Sequence, residues 1–198
     1  MHMICLDMEG VLIPEIWKYY AQITGIDAFK TTTRENPDVK TLFAERFGLM
    51  QKYGLSSSHL LHVLESLEPC PGAVDFLDAL RMRAPVMILT DTCDLFLKPF
   101  MKRFHSPLVL ANTCSCLEGT GRLNLVERCR HGKQSIVKAK RALGYEVCAF
   151  GDSFNDIAMI EEADIGFLFR PSVSVSRSYP GIPVYQEYDE VLSLVETW

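Results

Sequence analysis

Short apolar runs and amphipathic stretches alternate along the chain. Ile4-Cys5-Leu6, Val86-Met87-Ile88-Leu89, Val147-Cys148-Ala149-Phe150 and Ile165-Gly166-Phe167-Leu168-Phe169 are short and almost free of polar residues. They predict strands covered on both faces. Leu108-Val109-Leu110 predicts another, Val184 marks a last short one, and 112–127, turning at Glu118-Gly119-Thr120-Gly121, predicts a hairpin. Helical periods fill the gaps. One covers 15–22, behind Pro14 as a favoured first helical residue, and stops near Gly25. A second follows Asp38 as cap, with Leu42, Phe43, Phe47 and Met50 on its apolar side and Gly54 at its end. A third opens at Ser56-Ser57-Ser58 and carries Leu60, Leu61, Leu64 and Leu67. Further helices are predicted at 73–82, 94–104 (kinked by Pro99), 133–143 and 157–162.

Strands alternating with helices predict an α/β fold, a Rossmann-like and largely parallel sheet with crossovers. Residues 14–68 read as helical and strand-free. They predict a helical cap over the mouth of the sheet, leaving 1–13 and 69–198 as the α/β core.

Composition narrows the function. With 198 residues, 48% hydrophobic and 23% charged, the chain has the make-up of a globular protein with one sizeable core. A net charge of -5 argues against generic binding to nucleic acid or an anionic membrane, which need a basic face. Seven cysteines, an odd number without a Cys-x-x-Cys, predict reduced thiols and not a disulfide framework. No apolar run reaches membrane-spanning length and no signal-peptide pattern opens the chain, so the expectation is a soluble, cytoplasmic protein.

Three predicted strands end in polar clusters: Asp7 and Glu9; Thr90-Asp91-Thr92; and Asp152, Asn155 and Asp156. Lys133 opens the helix that leads to the third. Asp7 and Glu9, two apart on extended backbone, face one side, just beyond a strand's carboxyl end where open α/β sheets bind ligands. Two acids so close repel unless a cation or a proton lies between them. A divalent cation with a phosphate ester suits that pair, one carboxylate as nucleophile and the other as acid/base. Singly, each motif has a plainer reading: a solvated turn for Asp7 and Glu9, a surface lysine for Lys133, a capping turn for Asp152 and Asp156.

Taken in order, the clusters resemble the four motifs of the haloacid dehalogenase superfamily of aspartyl-phosphate phosphatases, and the helical insert resembles the cap of its phosphoserine phosphatase branch. Asp7-Met8-Glu9-Gly10-Val11-Leu12-Ile13-Pro14-Glu15-Ile16-Trp17, with Thr32-Thr33-Arg34 and Pro37-Asp38, is similar to the phosphoserine:homoserine phosphotransferase type within that branch. The resemblance implies Asp7 as nucleophile and Glu9 as general acid/base, where most of the superfamily has Asp. It implies Mg²⁺ on Asp7, the Glu9 backbone carbonyl and Asp152, with Asp156 behind them holding metal waters or Lys133. Thr90, Asp91 and Thr92 would bind phosphate together with Lys133; which of the three side chains touches it stays open. Glu15, Arg46 and Asn155 would bind the substrate, although for Glu15 and Arg46 a solvated helix charge is the plainer reading. The implied substrates are phosphoserine and, as a second phosphoryl acceptor, homoserine, giving phosphohomoserine, a threonine precursor. The aromatic-rich cap admits a homodimer. Two other readings stay open: a phosphatase of the same type for another small metabolite or a nucleotide, and a catalytically silent phospho-ligand-binding module.

Overall fold

The computed structural model describes residues 1–32, 38–117, 122–126, 128 and 132–198. At its centre is strand β1, His2–Leu6. On one side β1 pairs in parallel with β2, Val86–Cys93, which pairs in parallel with β3, Val109–Leu117. On the other side come β5, Glu146–Gly151, then β6, Ile165–Phe169, and β7, Val184–Tyr185, all parallel. Strand β4, Arg122–Val126, closes the far edge antiparallel to β3, completing the order β4-β3-β2-β1-β5-β6-β7. The chain moves outward from β1 to β4, then returns to β5 on β1's other flank. That reversal opens a crevice beside the carboxyl end of β1.

Both faces of the sheet are covered, as the unbroken apolar runs require. Ile4 and Leu6 of β1 join one buried cluster while Met3 and Cys5 join the other, the period-two alternation of a strand with no solvent face. The first cluster takes in residues of α4, Ala73–Arg81, and α9, Tyr188–Glu196. The second takes in residues of α6, Gly132–Ala142, α7, Ile157–Glu162, and α8, Val173–Ser178.

Between β1 and α4 the described residues hold α1, Ile16–Thr24, a 3-10 turn at Asp27–Lys30, α2, Val39–Lys52, and α3, Ser57–Glu65, with no strand among them. Asp38 caps α2 by accepting from the Lys40 and Thr41 amides, Ser56 caps α3, and Gly25 ends α1 in the left-handed region, as the sequence predicts. Trp17, Tyr20, Phe29 and Phe43 from this segment are buried in the same cluster as Ile4 and Leu6.

Several expectations are corrected. Pro14 does not start α1: a tight turn, in which Met8 O accepts from the amides of Leu12 and Ile13, delays the helix to Ile16 and puts Glu15 at its N-cap. Strand β2 runs on through Thr90-Asp91-Thr92 to Cys93, and α5, Asp94–Met101, follows at once with Pro99 inside it. The short strand at 108–110 and the first arm of the hairpin are one strand, β3; the hairpin's turn at 118–121 lies outside the described residues. The cysteines are not all reduced. Parallel pairing brings Cys93, at the end of β2, within 5.7 Å (Cα–Cα) of Cys114 on β3, and the two form a disulfide, whereas Cys5, Cys70 and Cys148 are free. No helix among the described residues is long and apolar enough to cross a membrane.

Candidate active site

Asp7 is the first residue past β1, its amide still donating to Phe150 O of the neighbouring strand. The chain then turns sharply, with Gly10 at φ 78 and its amide bonded to Ile13 O. Glycine is required there twice over: the backbone is left-handed, and a Cβ would lie 2.4 Å from Asp152 Cγ. The close approach lets the loop after β1 and the loop after β5 share one site.

Lys133, in the first turn of α6, reaches beneath that site. Its Nζ lies 2.8 Å from Asp7 Oδ1, 2.7 Å from Asp156 Oδ1 and 3.6 Å from Asp91 Oδ2, and the residue is buried. The surface-lysine reading is therefore excluded. Burial alone would lower the ammonium's pKa, but Asp156, Asp7 and Asp91 reverse this and hold it well above its ordinary value. The Asp7 carboxyl is pushed up, by burial first and then by Asp156 and Asp152, with Lys133 pulling the other way. Asp7 Oδ1 also accepts from the Met8 amide at 2.7 Å, so both bonds fall on the same oxygen.

Asp156 is fully buried and fully engaged. Its Oδ1 takes Lys133, and its Oδ2 accepts from the Asp152 amide, the Ser153 amide and the Ser153 hydroxyl at 3.1, 3.0 and 2.9 Å. The capping turn and the site are thus one structure, and both readings of these residues hold. Gly151 makes room for it, since a Cβ there would sit 2.3 Å from Asp156 Cγ. From the third cluster Asn155 donates to Asp91 Oδ2 at 2.6 Å, and Asn112 of β3 donates to Asp91 O at 2.7 Å, fastening the end of β2.

Above Asp7 opens a cavity. Asp7, Thr90, Asp91, Thr92, Asp152 and Asn155 line it, and so do Glu9, Glu15 and Arg46. Lys133 and Asp156 lie just under it. All the site residues expected from the sequence are therefore brought together. Arg46, half-way along α2, is 6% exposed, which rules out a solvated charge. Its Nη2 donates to Thr31 O at 2.9 Å, and its guanidinium lies 4.8 Å over the Trp17 ring. Glu9 Oε1 accepts from the Ile16 amide at 2.7 Å, at the start of α1. Burial, and next the charge of Glu15, raise the Glu9 carboxyl to about 7, against the pull of the Ile16 amide and Arg46. Trp17, Thr32 and Ser153 also line the cavity, and sequence reasoning does not single them out as site residues. The only signal for Trp17 and Thr32 is their place in the stretches that resemble the phosphotransferase type.

The residues fit a hard divalent cation. Oxygens of Asp7, Asp152 and Asp156 lie within 4.8 Å of one another, all buried. Carboxylates outnumber the one ammonium among them, an excess that a divalent ion would help to neutralise, and an all-oxygen set suits Mg²⁺. Because Asp156 is spent on Lys133 and the Ser153 turn, Asp7 and Asp152 are the side chains placed to ligate. His59 and His62 hold no part of such a site: His59 Nδ1 bonds Tyr20 OH at 2.8 Å and His62 pairs with Glu65.

Known proteins place these features in context. The family model of haloacid dehalogenase-like hydrolases matches residues 1–164. The phosphoserine phosphatase ThrH of Pseudomonas aeruginosa is 38% identical over 191 residues, covering 96% of this chain and 93% of its own length. A phosphoserine phosphatase of Pseudomonas syringae pv. tomato is 38% identical over 187 residues, covering 94% of this chain and 79% of its own. Among solved structures, a phospho-aspartyl intermediate analogue of phosphoserine phosphatase superposes with a TM-score of 0.75 at 18% identity, over 98% of both chains. With the fold shared and the family's model spanning β1 to the loop before β6, the chain belongs to the haloacid dehalogenase-like hydrolases.

Proposed function

We propose that the protein hydrolyses the phosphate ester of L-serine through a phosphorylated Asp7, and that homoserine can replace water as the acceptor. The observation that carries this reading is that a buried Arg46 and Glu15 line the same cavity as Asp7, the residue Lys133 contacts. A guanidinium for a carboxylate, a carboxylate for an ammonium, and a nucleophile beyond them match the three groups of phosphoserine. The names of the two Pseudomonas relatives support the same substrate.

In this mechanism Asp7 Oδ2, the oxygen not engaged by Lys133 or the Met8 amide, attacks phosphorus. Lys133 keeps the nucleophile oriented and neutralises charge on the phosphoryl oxygens. The hydroxyls of Thr90 and Thr92, with backbone amides from Asp91 onwards, hold the other oxygens. Glu9, whose carboxyl burial pushes up to about 7, delivers a proton to the leaving serine oxygen as the ester bond breaks. The resulting carboxylate then takes a proton from water or from the homoserine hydroxyl, which displaces Asp7 from phosphorus and restores the enzyme. A bound Mg²⁺, held by Asp7, Asp152 and the Glu9 carbonyl, would supply further charge neutralisation at the transferring group. Residues 14–68 act as the cap that carries Glu15 and Arg46 over the mouth of the sheet. Glu9 is longer by one methylene than the usual Asp, which moves the proton-transfer point outward and leaves room for an acceptor larger than water.

The test is incubation with phosphoserine and Mg²⁺, with and without homoserine, following serine, phosphate and phosphohomoserine together. Serine should form in both, and phosphohomoserine should appear at the expense of phosphate when homoserine is present. Turnover unaffected by chelation, or no serine at all, refutes the reading.

A further inference from the structure

Among the described residues, three buried side-chain polar atoms have no hydrogen-bond partner: Trp17 Nε1, Arg46 Nε and Thr92 Oγ1. All three residues line the cavity above Asp7. An orphaned buried polar atom bears the full cost of its lost hydration, and three of them on residues lining a single cavity point to partners that a ligand would bring. Thr92 and Arg46 already have work in the mechanism, one at the phosphate end and one at the head-group end. Trp17 has none.

The indole is held in one orientation. The residue is 2% exposed, the rings of Tyr20, Phe43 and Phe96 meet it edge to face at 5.9, 6.2 and 5.8 Å, and the Arg46 guanidinium covers it at 4.8 Å. Arg46 has already given a hydrogen bond from Nη2 to Thr31 O, so part of its fork is committed to the chain. We infer that the Trp17 Nε1–H donates to the carboxylate of the substrate beside Arg46, so that indole and guanidinium together form the carboxylate clamp. An indole N–H is a donor only and carries no charge. It therefore adds discrimination for a carboxylate without competing for the ammonium with Glu15, an acceptor that lines the same cavity.

This inference rests on the phosphoserine reading, and its test separates the two. Wild type and Trp17→Phe, which keeps an aromatic face for Arg46 and removes the N–H, are compared on phosphoserine and on phosphoethanolamine, which has the same amine and phosphate but no carboxylate. The variant should lose about tenfold in kcat/KM on phosphoserine, as KM, and stay within about twofold on phosphoethanolamine. An equal loss on both substrates, or no loss on either, overturns the clamp. Absence of any wild-type preference for phosphoserine overturns the substrate reading instead. A second measurement needs no variant. The chain has two tryptophans, and Trp198 Nε1 bonds Glu146 Oε1 at 3.0 Å, away from the cavity. On titration with L-serine the Trp17 indole N–H resonance should move downfield while that of Trp198 stays, and ethanolamine should move neither. A Trp17 resonance unmoved at serine saturation overturns the proposal.

Discussion

Replacing Lys133 by Met tests the charge arrangement on which the site depends. The substitution keeps most of the side-chain volume and removes an ammonium lying 2.8 Å from Asp7 and 2.7 Å from Asp156. At an effective dielectric of about 20, each contact corresponds to roughly 6 kcal/mol of Coulomb attraction, most of it offset by desolvation of the charges. What the variant reports is the cost of leaving buried carboxylates without their partner, about 3–5 kcal/mol. For a chain of this size, each 1 kcal/mol moves Tm by about 2–4 °C, so Tm should fall by about 6–20 °C in a calorimetric scan without added metal. Removing Asp156's charge as well, in Lys133→Met/Asp156→Asn, should restore part of that loss through a coupling of about 0.5–3 kcal/mol, because one uncompensated charge disappears with its partner. Activity should not return. Phosphoserine turnover should drop by about 10²–10³ in both variants, the scale of losing one preorganised charge at a transition state. A Lys133→Met protein with unchanged Tm, or a double variant whose losses simply add, would refute the claim that Lys133 compensates buried charge.

Three further outcomes follow from named contacts. Arg46→Ala should lose about 10–100-fold in kcat/KM on phosphoserine, the worth of one or two charged hydrogen bonds, yet stay within a few-fold on an aryl phosphate that has no head group; equal losses would favour a different substrate for the same chemistry. Glu9→Gln should release one equivalent of aryl alcohol per site from an aryl phosphate, whose leaving group needs no proton, and then stall, because the second step lacks its base; steady turnover in a rapid-mixing experiment would remove Glu9 from that role. Gly166→Ala should destabilise without touching the chemistry: its Cβ would lie 2.1 Å from Ile160 O, and overpacking of about 1–3 kcal/mol should lower Tm by about 2–12 °C while activity per folded molecule stays the same.

The centre of the fold is legible because β1, β2, β5 and β6 are apolar runs whose burial on both faces leaves no alternative period. The same runs locate Asp7, Thr90 and Asp152, since each stands where a run ends. Lys133 is harder. Nothing local distinguishes a lysine in a helix's first turn from a solvated one, and only the position of α6 under β1 makes it buried. Arg46 is hidden for the same reason, since the ring 4.8 Å from its guanidinium is Trp17 of α1, a helix other than its own. Helix α8 gives no readable signal, because six residues rich in serine carry no period, whereas α9 carries one that the expectations above omit, with Tyr188, Val191, Leu192 and Val195 at i, i+3, i+4 and i+7. The Cys93–Cys114 disulfide joins residues 21 apart and follows from the pairing of β2 with β3, which no count of cysteines supplies.

The residues that line the cavity differ in how completely they are partnered, and chemistry explains why. Asp7, Lys133 and Asp156 are joined by short bonds and the Asp152 amide donates to Asp156, so on the proposed reading the groups that would meet phosphorus are positioned before substrate arrives. Glu15, Trp17 and Arg46 belong to α1, its N-cap and α2, whose segment is tied back to the sheet by its return limb, where Arg103 donates to Glu65 O and Leu67 O at 2.6 Å. Two of those three residues hold unpartnered donors, while among the described residues the sheet side keeps Thr92 alone in that state. The head-group end is therefore completed by its ligand, and the phosphate end is largely complete without one. On the phosphoserine reading, such a division would let binding of the amino-acid moiety, which does not react, contribute to the rate at a reaction centre already formed.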